Sequence, residues 1–170
     1  MLKIKFFLLA LLGFPLLMTA QDLTINPKFE QKIESLISKK VPTISCDRLK
    51  QKLTTPKLYI LDAREQEEFE VSHLKDAIWV GYNRVEEEAL AKVPKDAIVV
   101  VYCSIGYRSG KIGERLQKQG YTKVYNLYGG IFEWSNKGYP MVDSSDKATP
   151  QVHAYNKNWG QWVEKGEKVY

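Results

Sequence analysis

The run Ala97-Ile-Val-Val-Val-Tyr102 constrains the fold more than any other stretch of this chain. Its residues are apolar, mostly β-branched, and lack the polar alternation of a half-exposed strand. A strand built from them is buried on both faces, the position of a central strand in a parallel sheet. A short stretch from Cys103 to Ser109 follows, then a helical pattern with Ile112 and Leu116 that stops at Gly120. The same alternation recurs on either side. Leu58 to Leu61 reads as a strand with Asp62 at its tip, Glu65 to Val71 as an acidic helix and Ala77 to Val80 as a strand. Glu86 to Ala91 reads as a helix closed by Pro94, and Val124 to Leu127 as a further strand ahead of Gly129-Gly130, Ile131, Phe132 and Trp134. Strands alternating with helices predict an α/β domain with a mostly parallel sheet.

The flanks differ from this core. Residues 1–20 carry Lys3 and Lys5, an apolar run from Phe6 to Met18, and Thr19-Ala20. A basic start, a short apolar run and a small final residue form a secretory leader, and Gly13 and Pro15 interrupt a run already short of the roughly 20 residues that span a bilayer. The expectation is an exported protein, periplasmic or secreted, with no stable membrane insertion once the leader is cleaved; an uncleaved anchor is the alternative. The formal charge is +5, and removing Lys3 and Lys5 with the leader leaves +3, too mild to argue for a nucleic-acid partner. Two cysteines and two histidines, scattered along the chain, make neither a disulfide framework nor a zinc site. The balance of 44% hydrophobic and 26% charged residues excludes wholesale disorder.

After the leader, Asn26-Pro27 is a helix start, and Phe29, Ile33, Leu36 and Ile37 recur as one apolar stripe before Lys39, Lys40 and Pro42. Thr43-Ile44 is extended, and Ser45 can cap a second helix carrying Leu49 and Leu53. From Met141 to Pro150 the chain turns polar, as a linker or a surface turn. Tyr155, Trp159, Trp162 and Val163 then fall on one face of a predicted helix, weakened by Gly160, and so large an apolar surface is expected to dock against the domain.

Cys103 stands where the central strand ends and a helix is about to begin. Ligands of parallel sheets bind outside the carboxyl ends of strands, where free helix amides stabilise anions and lower a thiol's pKa. Gly106 lets the loop curl so that successive N–H groups point inward, and Arg108 adds a fixed positive charge at the rim. The alternative is a small cysteine buried at a strand end.

Cys103-Ser-Ile-Gly106-Tyr-Arg108 resembles the C-x-x-G-x-R loop of the rhodanese family of sulfurtransferases. Asp62-Ala-Arg64 is similar to that family's strand-end D-x-R motif, and Glu68-Phe69 with His73-Leu74 to its E-[FY]-x-x-[GS]-H-[IL] stretch. Leu127-Tyr-Gly129-Gly130 with Trp134 is similar to its L-x-G-G-x-x-x-W block. The four stand in the family's order from about Ile44 to Pro140. The resemblance implies a rhodanese-like α/β fold: a five-stranded, mostly parallel sheet flanked by helices on both faces. Around it the chain divides into a leader over 1–20, an N-terminal helical extension over 21–40, the domain over 41–140 and a C-terminal extension with a helix-like aromatic segment over 141–170.

The resemblance also implies a chemistry. Cys103 is the catalytic nucleophile, taking sulfur from a donor such as thiosulfate or a persulfide and passing it to a thiol or cyanide. Ser104, Ile105, Gly106, Tyr107 and Arg108 form the substrate-binding loop. Asp62 and Arg64 support the loop from the neighbouring strand, or else make an ordinary surface pair. No cofactor or metal is implied, and His73 is a structural partner. Asp76 stands where the family has Gly; Asp tolerates a left-handed turn, so the turn is expected to survive. Cys46 is expected to be a half-buried thiol near a helix start, with a resolving role as the alternative. Two rival functions remain: a non-catalytic partner-binding or sulfur-carrier module, and the phosphatase and arsenate-reductase branch of the same fold. That branch has five residues between Cys and Arg to admit a tetrahedral oxyanion, whereas Cys103 and Arg108 have four between them.

Overall fold

The computed structural model describes residues 26–170; the expected leader lies outside the described residues. Asn26 opens α1 (Pro27–Glu34) by accepting from the Lys28 and Phe29 amides, with Pro27 in the first helical turn. The helix is shorter than its apolar stripe. The Ser35 hydroxyl turns back onto the Lys32 carbonyl, so Leu36 and Ile37 leave the helix and pack on the core from the turn that follows. β1 (Thr43–Ile44) leads into α2 (Cys46–Lys52), whose cap Ser45 accepts from the Arg48 amide. Leu49 is buried there, but Leu53 is exposed.

Next come β2 (Leu58–Asp62), α3 (Gln66–Val71), β3 (Ile78–Trp79), α4 (Glu87–Ala91), β4 (Ile98–Tyr102), α5 (Tyr107–Lys118), β5 (Lys123–Leu127) and α6 (Gly130–Asn136). The five strands are parallel in the order β1-β5-β4-β2-β3, and β4 is central as its sequence demands. Its pleat divides the core in two. Val100 and Tyr102 face a cluster with Phe29, Leu49, Phe132 and Trp134, while Val99 and Val101 face one with Leu90, Ile112 and Leu116. Asp76 has φ 62°, the left-handed turn expected of it.

The polar stretch after α6 is an ordered hairpin, β6 (Met141–Val142) against β7 (Ala148–Thr149), with the Asp143 carboxylate accepting from the Ser145 and Lys147 amides. β8 (Gln151–His153), the single-turn α7 (Lys157–Gly160) and β9 (Glu167–Val169) complete the chain, with β8 and β9 paired in parallel. The aromatic stripe predicted to lie on one helix is therefore not on one. Tyr155 precedes α7 with φ 64°, Asn156 caps it by accepting from Trp159, and Trp162 and Val163 follow it. The expected docking is present nonetheless. Trp162 stacks on Phe29 with centroids 5.5 Å apart, Val163 is buried, and Lys32 of α1 stands 5.4 Å from the Trp159 ring. Buried Asn136 of α6 donates to the Trp162 carbonyl and accepts from the Glu164 and Lys165 amides. The two extensions thus pack on each other and on the end of α6.

Candidate active site

β4 ends at Tyr102 and α5 begins at Tyr107, which leaves Cys103 to Gly106 as a four-residue turn at the carboxyl edge of the sheet. Gly106 takes the N-cap of α5 at φ 117°, and a Cβ there would lie 3.1 Å from Ile37. Its N–H donates to Cys103 Sγ at 3.1 Å. Ser109, in the first turn of α5, places its hydroxyl 3.5 Å from the same sulfur and 2.7 Å from Asn126 Oδ1, with one proton to donate to either, the sulfur claiming it as a thiolate. Asn126 of β5 is oriented in turn by donating from Nδ2 to the Gly106 carbonyl at 2.8 Å. One strand on, the start of α6 clamps the turn from the other side. The Ile131 and Phe132 amides donate to the Cys103 and Ser104 carbonyls at 2.9 and 3.2 Å. Gly130, at φ 54°, permits this approach, because a Cβ on it would collide with the Cys103 carbonyl oxygen and lie 2.7 Å from the Ser104 carbonyl.

Burial pushes the Cys103 thiol up. The charge of Arg108 and hydrogen bonds from Ser109 and the Gly106 amide outweigh it, and the net displacement is downward, toward thiolate. Arg108 does not stand free at the rim. Its guanidinium donates to both Glu68 oxygens at 2.5 and 2.8 Å and to Ser104 Oγ at 2.9 Å, while Ser104 donates to Glu68 at 3.1 Å. Burial pushes the Glu68 carboxyl up as well, but Arg108 and Arg64 hold it below the usual range. Glu68 also accepts from the Glu65 amide as part of the α3 capping box, so one carboxylate ties α3 to the loop.

Asp62 and Arg64 form a fully buried pair at 2.6 Å and not a surface one. Arg64 also donates to the Ser72 carbonyl at 2.6 Å and lies 5.6 Å from the ring of Tyr102, the residue before Cys103. The pair therefore lies against the strand end from which the Cys103 turn leaves. His73 accompanies this framework: its ring stacks on Phe69 and its backbone pairs with Val142. Cys46 is fully buried, its thiol reaching the Tyr128 and Gly130 carbonyls at 3.7 and 3.9 Å, and burial and the Glu133 charge push its pKa well up. Neither cysteine is in a disulfide.

A cavity of about 410 Å³ opens over Cys103. Ser104, Ile105, Tyr107 and Arg108 of the expected loop line it, together with Glu65, Tyr82 and Asn83, whereas Gly106 is not among its lining residues. Leu36, Tyr155 and Trp159 complete the wall, so both extensions reach the site. Sequence reasoning did not single out Glu68, Ser109 or Asn126. Glu68 was visible as part of the Glu-Phe motif, and Ser109 only as the residue after Arg108.

Residues 45–137 match the model of the family described as "Rhodanese-like domain". A sulfurtransferase of Allochromatium vinosum is 34% identical over 103 residues, 60% of this chain and 95% of that protein. The thiosulfate sulfurtransferase GlpE of Coxiella burnetii is 32% identical over 77 residues, 45% of this chain and 71% of that protein. Other relatives are longer than the matched span, which takes up 52% of one and 22% of another. Among solved structures, the rhodanese-like domain of the Anabaena protein Alr3790 superposes with a TM-score of 0.56 at 23% identity, covering 60% of this chain and 79% of that one.

Proposed function

Because the chain belongs to the rhodanese-like domain family, with sulfurtransferases among its relatives, we propose that it moves sulfane sulfur from a small donor to a thiophilic acceptor through a persulfide on Cys103. The observation that carries the reading is a thiol drawn toward thiolate at the base of a cavity open to small molecules. The Cys103 thiolate attacks the outer sulfur of thiosulfate. A bond forms between the two sulfurs as the donor's own S–S bond breaks, and sulfite leaves with the electron pair. A thiol or cyanide then attacks the outer persulfide sulfur, and the Cys103 thiolate leaves in turn. No separate general base is invoked, because Arg108 and the loop donors favour the thiolate, the nucleophilic form. The Gly106 N–H and the Ser109 hydroxyl are donors aimed at the sulfur charge.

Phosphatase chemistry is disfavoured by the engagement of Arg108 with Glu68 and Ser104, which leaves fewer of its N–H groups to hold an oxyanion. The proposal extends to an exported protein on the strength of the leader pattern in residues 1–20, to be checked by cell fractionation. The test of function is thiocyanate formation from thiosulfate and cyanide. Turnover that is lost in Cys103→Ser and kept in Cys46→Ala is the expected result. Turnover that survives Cys103→Ser removes the assignment.

A further inference from the structure

The wall of the cavity does not match a small dianion. Leu36, Tyr82, Ile105, Tyr107, Tyr155 and Trp159 give it an apolar, largely aromatic character. Its volume of about 410 Å³ falls within the roughly 300–1,000 Å³ of sites for small organic ligands, more than the five heavy atoms of thiosulfate occupy. Charge points the same way. Among the described residues that line the cavity, Arg108 is the one cation, and it is bound by Glu68 through both oxygens. Glu65 adds a second carboxylate at the wall. With Arg108 paired to Glu68 and a further carboxylate in Glu65, the described lining residues offer a doubly charged donor no unpaired cation.

Two of the four aromatic residues of this wall, Tyr155 and Trp159, come from the C-terminal extension, and their backbone is held in place. Tyr155 keeps a left-handed φ of 64°, a strained conformation for a ring-bearing residue, with its amide donating to His153 and the flanking Ala154 amide bonded to Val169 of β9. Its ring stands 5.6 Å from the Arg108 guanidinium. Trp159 is fixed in α7 by the Asn156 cap and by α1 behind it.

We infer that Tyr155 and Trp159 are specificity-determining residues, and that they select organic sulfane-sulfur donors. Such donors carry an aromatic or bulky apolar body and no more than one negative charge, as thiosulfonates and organic persulfides do. The inference rests on the persulfide reading above and names its donor class. With an aryl thiosulfonate, the Cys103 thiolate attacks the terminal sulfur and the new S–S bond forms. The bond from that sulfur to the sulfonyl group breaks, and the arylsulfinate departs with the electron pair while its ring rests against Trp159 and Tyr155.

The experiment compares kcat/KM for benzenethiosulfonate, methanethiosulfonate and thiosulfate in the full chain, in Trp159→Ala and in Tyr155→Asn, where Asn tolerates the left-handed backbone. The first two donors carry the same charge and differ in apolar body. In the native protein benzenethiosulfonate is the best of the three. The ratio of benzenethiosulfonate to methanethiosulfonate falls about tenfold in Trp159→Ala and severalfold in Tyr155→Asn, chiefly through KM. A ratio unchanged within twofold in both variants overturns the inference and leaves the persulfide reading standing. Absence of transfer from all three donors by the folded native protein overturns the persulfide reading, and this inference falls with it.

Discussion

Replacing Gly130 by Ala tests whether the seating of α6 sets the geometry of the Cys103 turn. Two effects add. A residue with a Cβ at φ 54° costs about 1–2 kcal/mol for the left-handed backbone alone. The new methyl would also collide with the Cys103 carbonyl, with the Ser104 carbonyl 2.7 Å away, and backbone can yield only by moving the helix or the turn. Overpacking of that kind costs about 1–3 kcal/mol, for a total of about 2–5 kcal/mol. Gly120→Ala is the control, because Gly120 has φ 92° but nothing within 4 Å of the site of its Cβ. It should lose the backbone part only, about 1–2 kcal/mol. With a urea m-value of about 2 kcal/mol/M, the midpoint falls by about 1–2.5 M in Gly130→Ala and about 0.5–1 M in the control. Displacement of the Cys103 carbonyl also moves the sulfur, so the rate of persulfide formation in the folded variant should drop by about tenfold to a hundredfold. Equal midpoint losses in the two variants, with the persulfide rate of Gly130→Ala intact, would refute the reasoning.

Three further outcomes follow from the same geometry. Glu68→Gln should cost about 3 kcal/mol, the lower end of the range for removing one partner of a buried pair, since the Arg108 side chain keeps 14% of its exposure. Because the Glu68 carboxyl is held low in the folded chain, its contribution is full above the unfolded value of about 4.3 and is lost as pH falls through the folded one. Urea midpoints of the native protein and Glu68→Gln should therefore converge as pH falls below about 4.3, and a gap that stays constant with pH contradicts the ion pair. The pH profile of Cys103 alkylation by iodoacetamide should have its midpoint below the free-cysteine value of about 8.5. Ser109→Ala should move that midpoint upward, and a midpoint that stays put removes Ser109 from the thiolate's surroundings. Asn136→Ala deletes three hydrogen bonds to the C-terminal extension, so amide exchange over Trp162 to Lys165 should quicken at least about tenfold. Unchanged exchange there would show that other contacts seat the segment.

The features legible in the sequence were those that local physics dictates. The uninterrupted Ala97–Tyr102 run could only be a doubly covered strand, and its end fixed where Cys103 emerges. Asn26 and Ser45 announced their helices as caps, and Asp76 its left-handed turn. What stayed hidden depends on pairings distant along the chain. Glu68 meets Arg108 across 40 residues, and Asn126 reaches the Cys103 turn from another strand, so neither spacing carries a local signal. The C-terminal segment misled for a different reason. Tyr155, Trp159, Trp162 and Val163 share a helical spacing, yet Trp162 serves α1 while Tyr155 and Trp159 serve the cavity. Periodicity records that side chains are apolar, and not that they bury against the same partner.

Intact-mass spectrometry after incubation with a sulfane-sulfur donor, either thiosulfate or benzenethiosulfonate, tests sulfur transfer through Cys103 most directly. The native protein should gain about 32 Da, one sulfur, lost again on adding cyanide or a thiol, while Cys103→Ser should gain nothing. A gain that persists in Cys103→Ser, or no gain by the folded, reduced native protein with either donor, would contradict the account.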